Sequence, residues 1–476
     1  MRVAVVHYHF KPGGVTRIVE SASAALAPHG VQLVAISGEP YTGKAELKTA
    51  VLPDLQYTLD GELPDPKYLK HELVQAAKGV LGGEPDLWHI HNHCLGKNTA
   101  MADVVWLLAQ EAPLLLQMHD FAEDGRPANY RTIDAGISDW RRLYPHSPRV
   151  HSAVLNRRDY GFLAGAGLPE DQLHLLPNPV SVPELHIGQV PAVLGAERLY
   201  IYPTRAIRRK NLGEFLLWAA LAQDGELYAT TLAPANPTAR PVYERWVAFA
   251  ENHHLQAVLA LADRVDLSFP EIMAASEAII TTSVAEGFGM AFLEPYLFGK
   301  GLLGRNLPDI TADFACDSVS LDGLYDRVTV PLEWIGGVEE LRNHLAPALS
   351  AAYAAYGREV TESAIDAALA AASAGERVDF GRLDEPLQER ALERLLELDD
   401  PRLEIEPPHC LSQPSELIEA NRSAIAAAYN LEQYGQRLYG IYQQLANAPE
   451  EAPEALDPAR VLDAFLDPAR FNLLRT

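Results

Sequence analysis

Short apolar runs recur through the first part of the chain, and stretches with helical spacing lie between them. Residues 3–6 form the first run, 15–26 carry a helical period, and 32–36 are apolar again. Two further runs, 87–91 and 114–119, end in polar side chains, His89-Ile90-His91 and Gln117-Met118-His119. Continuous apolar runs, rather than strict alternation, mark strands buried on both faces by helices. The rhythm therefore predicts a parallel sheet with polar groups at the C-terminal strand ends, where open α/β sheets bind ligands. Residues 173–179 (LHLLPNP) close this half, and the proline-containing stretch 180–192 reads as a linker. A second alternation follows at 199–203, 227–232, 258–261, 278–282 and 301–304. Beyond about residue 335 the pattern becomes helical, over 346–374 and 386–398, and the proline-rich 400–414 is expected to cross back. Residues 426–445 are strongly amphipathic, with Tyr and Leu on one face, and 446–458 read as a loose connector.

Composition narrows the class. With 476 residues the chain can hold two domains, each with its own core. Its 48% hydrophobic and 22% charged residues are those of a soluble globular protein. No apolar run reaches the about 18 residues needed to span a bilayer, and the first residues read as a strand rather than a signal peptide. Cys94, Cys316 and Cys410 are odd in number and far apart, which supports neither a disulfide framework nor a zinc site. A cytoplasmic protein with reduced thiols is expected. The net charge of −25 argues against nucleic acid and anionic membranes as partners.

The densest chemistry lies in Glu286-Gly287-Phe288-Gly289-Met290-Ala291-Phe292-Leu293-Glu294, after the apolar run 278–283 and before a helical stretch. Strand, glycine turn and helix start make an anion site from unpaired N–H groups and the helix dipole. Two carboxylates do not suit a phosphate, so they are read as accepting from neutral hydroxyls beside it. A sugar ring and a ribose supply such hydroxyls, which points to a nucleotide sugar. Upstream, Thr204-Arg205-Ala206-Ile207-Arg208-Arg209-Lys210-Asn211 joins a strand to a helix over 214–222. Arg208 and Arg209 are read as solvated. Lys11-Pro12-Gly13-Gly14-Val15 joins the first strand to the first helix, but it is not the G-x-G-x-x-G dinucleotide fingerprint. His89, His91 and His93 alternate in the manner of metal ligands on a strand, yet no Cys or carboxylate completes a set.

EGFGMAFLEP resembles the E-x7-E signature of retaining nucleotide-sugar glycosyltransferases of the GT-B architecture, the family that includes sucrose-phosphate synthase and many mannosyl- and glucosyltransferases. The resemblance implies an α/β fold of two facing Rossmann-like domains with the active site in the cleft between them. Residues 1–185 would be the acceptor domain, joined by returning helices from about 420 to 476. Residues 195–415 would be the donor domain, with a helical extension from about 346. That extension is longer than the core fold needs and is open to two roles, covering the acceptor site or building a homo-oligomer.

The resemblance also implies roles. Arg205 and Lys210 would grip the donor diphosphate, and Glu286 would bind hydroxyls of the donor sugar. The backbone of Gly287, Phe288, Gly289 and Met290 would approach sugar and diphosphate, while Glu294 would hold the ribose diol. Gly13 and Gly14 would face the donor, and His119 would contact the transferred sugar. The expected catalytic set is His119, Arg205, Lys210 and Glu286, with no metal and no cofactor beyond the nucleotide sugar itself. The acceptor would be small and soluble, because no basic or amphipathic membrane patch stands out. Glu294 and Asp309 remain open to a simpler role as partners of helix dipoles. The chain departs from the family after Glu294, where Pro295 and the run 300–308 replace the usual residues. A phosphorylase or glucan synthase of the same fold, and a silent nucleotide-sugar-binding protein, are the alternatives.

Overall fold

The computed structural model describes residues 1–58, 64–185, 188–401, 404–405 and 413–475. Much of the expected crossing segment 400–414 therefore lies outside the described residues. The chain divides into two compact units. Unit 1 comprises Met1–Ser181, Tyr353–Arg358 and Tyr429–Asp467, and unit 2 comprises Val182–Ala352, Glu359–Ala428 and Pro468–Thr476.

Unit 1 is built on β1 (Arg2–Val6), β2 (Gln32–Ser37), β3 (Thr49–Val51), β4 (Leu87–His91), β5 (Leu114–Met118), β7 (Val150–Val154) and β8 (Leu173–Leu175); β6 (Pro145–His146) lies outside this sheet. The sheet has the order β3-β2-β1-β4-β5-β7-β8, and all its pairings are parallel. Strand β4 is buried throughout, as its unbroken apolar run requires. One face is covered by the helices Pro66–Leu81 and Met101–Ala109 through Leu69, Leu73, Val104 and Leu108. The other is covered by Gly14–Leu26 and by the late helix Leu431–Asn447, whose Tyr434, Leu438, Ile441, Tyr442 and Leu445 pack with Val3, Val5 and Leu115. The amphipathic late segment thus returns to the first sheet.

Two details differ from the sequence reading. Residues 426–445 are not one helix, because one helix stops at Ala428 and Asn430 caps the next by accepting the Gln433 N–H at 2.8 Å. The preceding helix, Ser415–Ala428, belongs to unit 2, where Asn421 is bonded twice to Ser320. The stretch 446–458 is also more than a connector, since Glu454–Ala455 pairs antiparallel with β6.

Unit 2 repeats the plan with β9 (Arg198–Arg205), β10 (Glu226–Leu232), β11 (Ala257–Val258), β12 (Ala278–Thr281), β13 (Gly301–Arg305) and β14 (Leu324–Tyr325). Their order is β11-β10-β9-β12-β13-β14, again with parallel pairings. The strand order reverses beside β9 and β12, the switch point at which sheets of this kind hold ligands. Both candidate loops of this unit leave those two strands. Among the described residues, no helix is long and apolar enough to cross a membrane.

Candidate active site

In unit 2, β9 ends at Arg205, whose side chain is exposed and has no ion pair among the described residues. The chain then makes a short turn of 3₁₀ helix, Arg208–Lys210, which stops at Asn211 with φ 53°. Asn tolerates this left-handed backbone, and its side chain caps the helix Leu212–Ala220 by accepting the Glu214 N–H at 3.3 Å. The Gln388 amide donates to the same Asn211 oxygen at 2.9 Å. Beyond β12, Thr282 Oγ1 lies 3.0 Å from the carbonyl oxygens of both Lys210 and Asn211. The Val284 N–H donates to the Arg209 carbonyl, also at 3.0 Å. The basic turn and the Glu286 loop are therefore stitched together through backbone groups.

This stitching brings Lys210 Nζ onto Glu286 Oε1, with Arg209 Nη1 3.2 Å from the other carboxylate oxygen. Arg209 also donates to the Ala285 carbonyl. Lys210 and Glu286 side chains are largely buried. Burial pushes the Glu286 carboxyl up, but Lys210 and Arg209 outweigh it and hold the group below the usual carboxylate range. Glu286 is thus an anion that accepts hydrogen bonds only. Gly289 turns the chain at φ 94°, and an added Cβ there would come within 2.7 Å of Ile310, so both conformation and space require glycine. Glu294 opens the four-residue helix Glu294–Leu297 and is partly buried.

The expectation that Arg208 and Arg209 are solvated is not met. Arg208 makes a two-bond contact with Glu385, at 2.7 and 2.8 Å, and Arg209 joins Glu286. Both belong to a basic turn whose charges are held in place by carboxylates distant in sequence. Asp309 pairs with Arg470 at 3.1 Å, in the first turn of the helix Pro308–Cys316.

In unit 1 the Gly13-Gly14 loop lies open. Gly13 is extended at φ 177°, and a Cβ on Gly14 would meet nothing within 4 Å. Neither glycine is demanded by the surrounding chain. Thr16 Oγ1 steadies the loop by donating to the Lys11 carbonyl at 2.6 Å.

His119 follows β5 and is buried within a cluster of imidazoles. Its Nε2 is 2.8 Å from His91 Nδ1, and the rings stack at 5.1 Å. His89 stacks on His91 at 4.3 Å and bonds Tyr442 and Gln117 through its two nitrogens. Burial drives these side chains toward the neutral form, His7 and His89 to about 3 and His119 and His93 to about 4. The Nε2 of His91 is buried without a hydrogen-bond partner among the described residues. An unmet lone pair is tolerated better than an unmet N–H, so the His91 proton belongs on Nδ1, donated to His119. His119 then carries its own proton on Nδ1. Asn92, with φ 55°, fixes the His119 backbone by accepting its N–H at 2.8 Å.

No family model matches the sequence. The chain is 29% identical over 356 residues to mannosylglucosyl-3-phosphoglycerate synthase of Petrotoga mobilis (strain DSM 10674 / SJ95), covering 69% of each chain. In structure it resembles the sucrose-phosphate synthase of Thermosynechococcus elongatus, with a TM-score of 0.52 and 15% identity over 93% of this chain and 98% of that one. Anabaena HepE, in complex with UDP and glucose, has a TM-score of 0.52 and 12% identity, covering 93% and 99%. The chain has the GT-B fold.

Within this GT-B chain the structure brings together Lys210, Glu286 and the turn Gly287–Met290, and adds Arg209, which sequence reasoning set aside. Gly13, Gly14 and His119 belong to the other unit. Sequence reasoning also missed a buried ion triad behind the basic turn. Arg305, at the end of β13, bonds Glu214 and Asp379, with 2.7 Å contacts to each, and Tyr325 donates to Glu214 at 2.7 Å. The available signal was a glutamate inside the apolar helix LGEFLLWAA and an arginine closing an apolar strand.

Proposed function

We propose that this protein is a glycosyltransferase that moves a hexose from a nucleotide-diphosphate sugar to a hydroxyl of a small soluble acceptor, with retention and without a metal ion. The observation that carries the reading is the Lys210–Glu286 contact, flanked by Arg209, beside a glycine turn that enters a helix. It joins a phosphate-binding cation to a sugar-binding anion. We assign the donor to unit 2 and the acceptor to unit 1.

Arg205 and Lys210 take the diphosphate. A lysine has three donors, so the bond to Glu286 leaves two for phosphate oxygens. Ionised Glu286 accepts from hydroxyls of the donor sugar, the Gly287–Met290 backbone lies along sugar and diphosphate, and Glu294 takes the ribose diol. The Nδ1–H of His119 donates to the transferred sugar, and Gly13 and Gly14 leave room for the donor. The bond from the anomeric carbon to the diphosphate breaks, and a bond to the acceptor oxygen forms on the same face. The acceptor proton passes to the departing diphosphate oxygen. Catalysis then rests on positioning and on stabilising the leaving group, with no protein nucleophile. The names of the compared proteins support the reading: HepE has been crystallised with UDP-glucose, and the Petrotoga relative is named for making a glycosylated phosphoglycerate. The cysteines, few and far apart, favour a cytoplasmic setting.

The test has two stages. Thermal melting against UDP, ADP, GDP and their sugars should show one nucleotide raising the melting point by mass action. Proton NMR of the product made from that donor should then show the donor's own anomeric configuration, with undiminished rate in EDTA. An inverted product, or activity abolished by EDTA and restored by a divalent ion, would overturn the mechanism.

A further inference from the structure

The basic turn of unit 2 is gripped by a helix far away in sequence. The helix Glu385–Leu396 begins beside it, and two of its side chains reach the residues on either side of Arg209 and Lys210. Glu385 takes Arg208 through two bonds, and the Gln388 amide nitrogen donates to the Asn211 side-chain oxygen at 2.9 Å. Residues three apart share a helix face, and Arg208 and Asn211 are three apart as well. One helix face therefore brackets the pair of cations that meets Glu286. Asp384 fixes the start of that helix by accepting the Leu387 N–H at 3.2 Å.

Gln388 is an odd residue for packing alone. It is fully buried, and its Oε1 has no hydrogen-bond partner among the described residues. Turning the amide over would not help, because the oxygen would then face the Phe380 carbonyl, which accepts from the nitrogen at 3.0 Å. Neither acceptor depends on that nitrogen. The Phe380 carbonyl also accepts from the Leu383 N–H at 3.2 Å, and the Asn211 oxygen from the Glu214 N–H at 3.3 Å. An apolar side chain of the same size would avoid the cost of the unmet oxygen and orphan nothing. Gly213 makes room for the amide, since an added Cβ would collide with Gln388 Oε1 and come within 2.8 Å of the Trp246 ring. What Gln388 secures is Asn211. That residue stands directly after Lys210 in a left-handed backbone, φ 53°, which a non-glycine residue keeps only where its surroundings over-determine it.

We infer that Gln388 is a positioning residue for the donor site: with Glu385 on the other flank, it holds the turn so that Lys210 stands where the diphosphate is bound. This rests on the donor reading given above. Gln388 makes no contact with the nucleotide sugar and acts through Asn211, by fixing the backbone from which the Lys210 side chain departs.

The test is calorimetric titration of the full chain with UDP, ADP and GDP, with thermal melting recorded for each variant. Gln388→Leu should weaken whichever nucleotide binds the wild type by about ten-fold, within the reach of one hydrogen bond, while the melting temperature stays level or rises. Gln388→Met, which keeps the length of the side chain, should do the same. Asn211→Gly keeps the left-handed turn and removes the side chain that Gln388 holds, so Gln388→Leu should cost nothing further in that background. Undiminished affinity in both Gln388 variants would overturn the inference, and so would a loss that adds fully to that of Asn211→Gly. A melting point lowered with affinity unchanged would make Gln388 a packing residue and overturn it likewise. Should none of the three nucleotides bind the wild type, the donor reading falls and this inference with it. Binding in the wild type that Gln388→Leu leaves intact sinks the inference alone.

Discussion

At the scale of single residues, the site is a set of charges held by partners far away in sequence. Lys210 lies against Glu286, and Arg209 shares the same carboxylate. Lys210→Ala should lower turnover by about 10²–10³-fold, the size of effect seen when one preorganised donor to a developing charge is removed. Arg209 still faces Glu286 in that variant, so the melting temperature should fall only slightly. Unchanged turnover in a steady-state assay would remove Lys210 from the mechanism. His91 acts one step further back. By donating to His119 it sets which nitrogen of that ring carries the proton. His91→Phe should cost about ten-fold in kcat, the worth of one hydrogen bond, with a smaller change in donor KM, and His91→Asn should recover part of the loss. Sequence reasoning singled out Lys210, Glu286 and His119 as candidates because each stands in a recognisable run. It could not find Arg209, His91 or Asn92 as partners, because such contacts are made by folding.

At the scale of elements, the alternating apolar runs located most strands of both sheets within a residue or two. They missed β3, β7 and β14. The run VHSAV in β7 carries His151 and Ser152, which break the apolar signal although the strand is wholly buried. The helix ends depended on caps that periodicity does not reveal, Asn211 and Asn430 above all. Behind the basic turn, Arg305 with Glu214 and Asp379 locks β13 to the helix Leu212–Ala220. Removing the cation would leave two buried carboxylates facing each other. Arg305→Met should therefore lower unfolding free energy by roughly 3–5 kcal/mol in urea titration. Replacing all three by apolar residues should recover much of the loss, since an apolar core of equal volume is often as stable. A destabilisation below about 1 kcal/mol for the single variant would show that the triad is not holding these elements together.

At the scale of the whole molecule, unit 1 carries an unusual load of buried neutral histidine. Burial lowers His7 and His89 to about 3, and His119 and His93 to about 4, all below the unperturbed value of about 6.5. Between those limits the unfolded chain binds protons that the folded unit refuses. Stability therefore rises with pH across this window and is lost as pH falls below about 6.5, by up to about 1.4 kcal/mol per pH unit for each such histidine. Calorimetric melting between pH 7 and pH 5 should show a steep decline with proton uptake on unfolding, and a flat profile would contradict the neutral cluster. The sequence by itself determined the two αβ repeats, the position of the candidate loops at strand ends and the return of a late amphipathic helix, because burial patterns and turn residues are local properties. Only the tertiary structure decided which charges meet. Pairings such as Lys210 with Glu286, Arg208 with Glu385 and Asp120 with Arg126 depend on the register of strands and on which loop lies beside which.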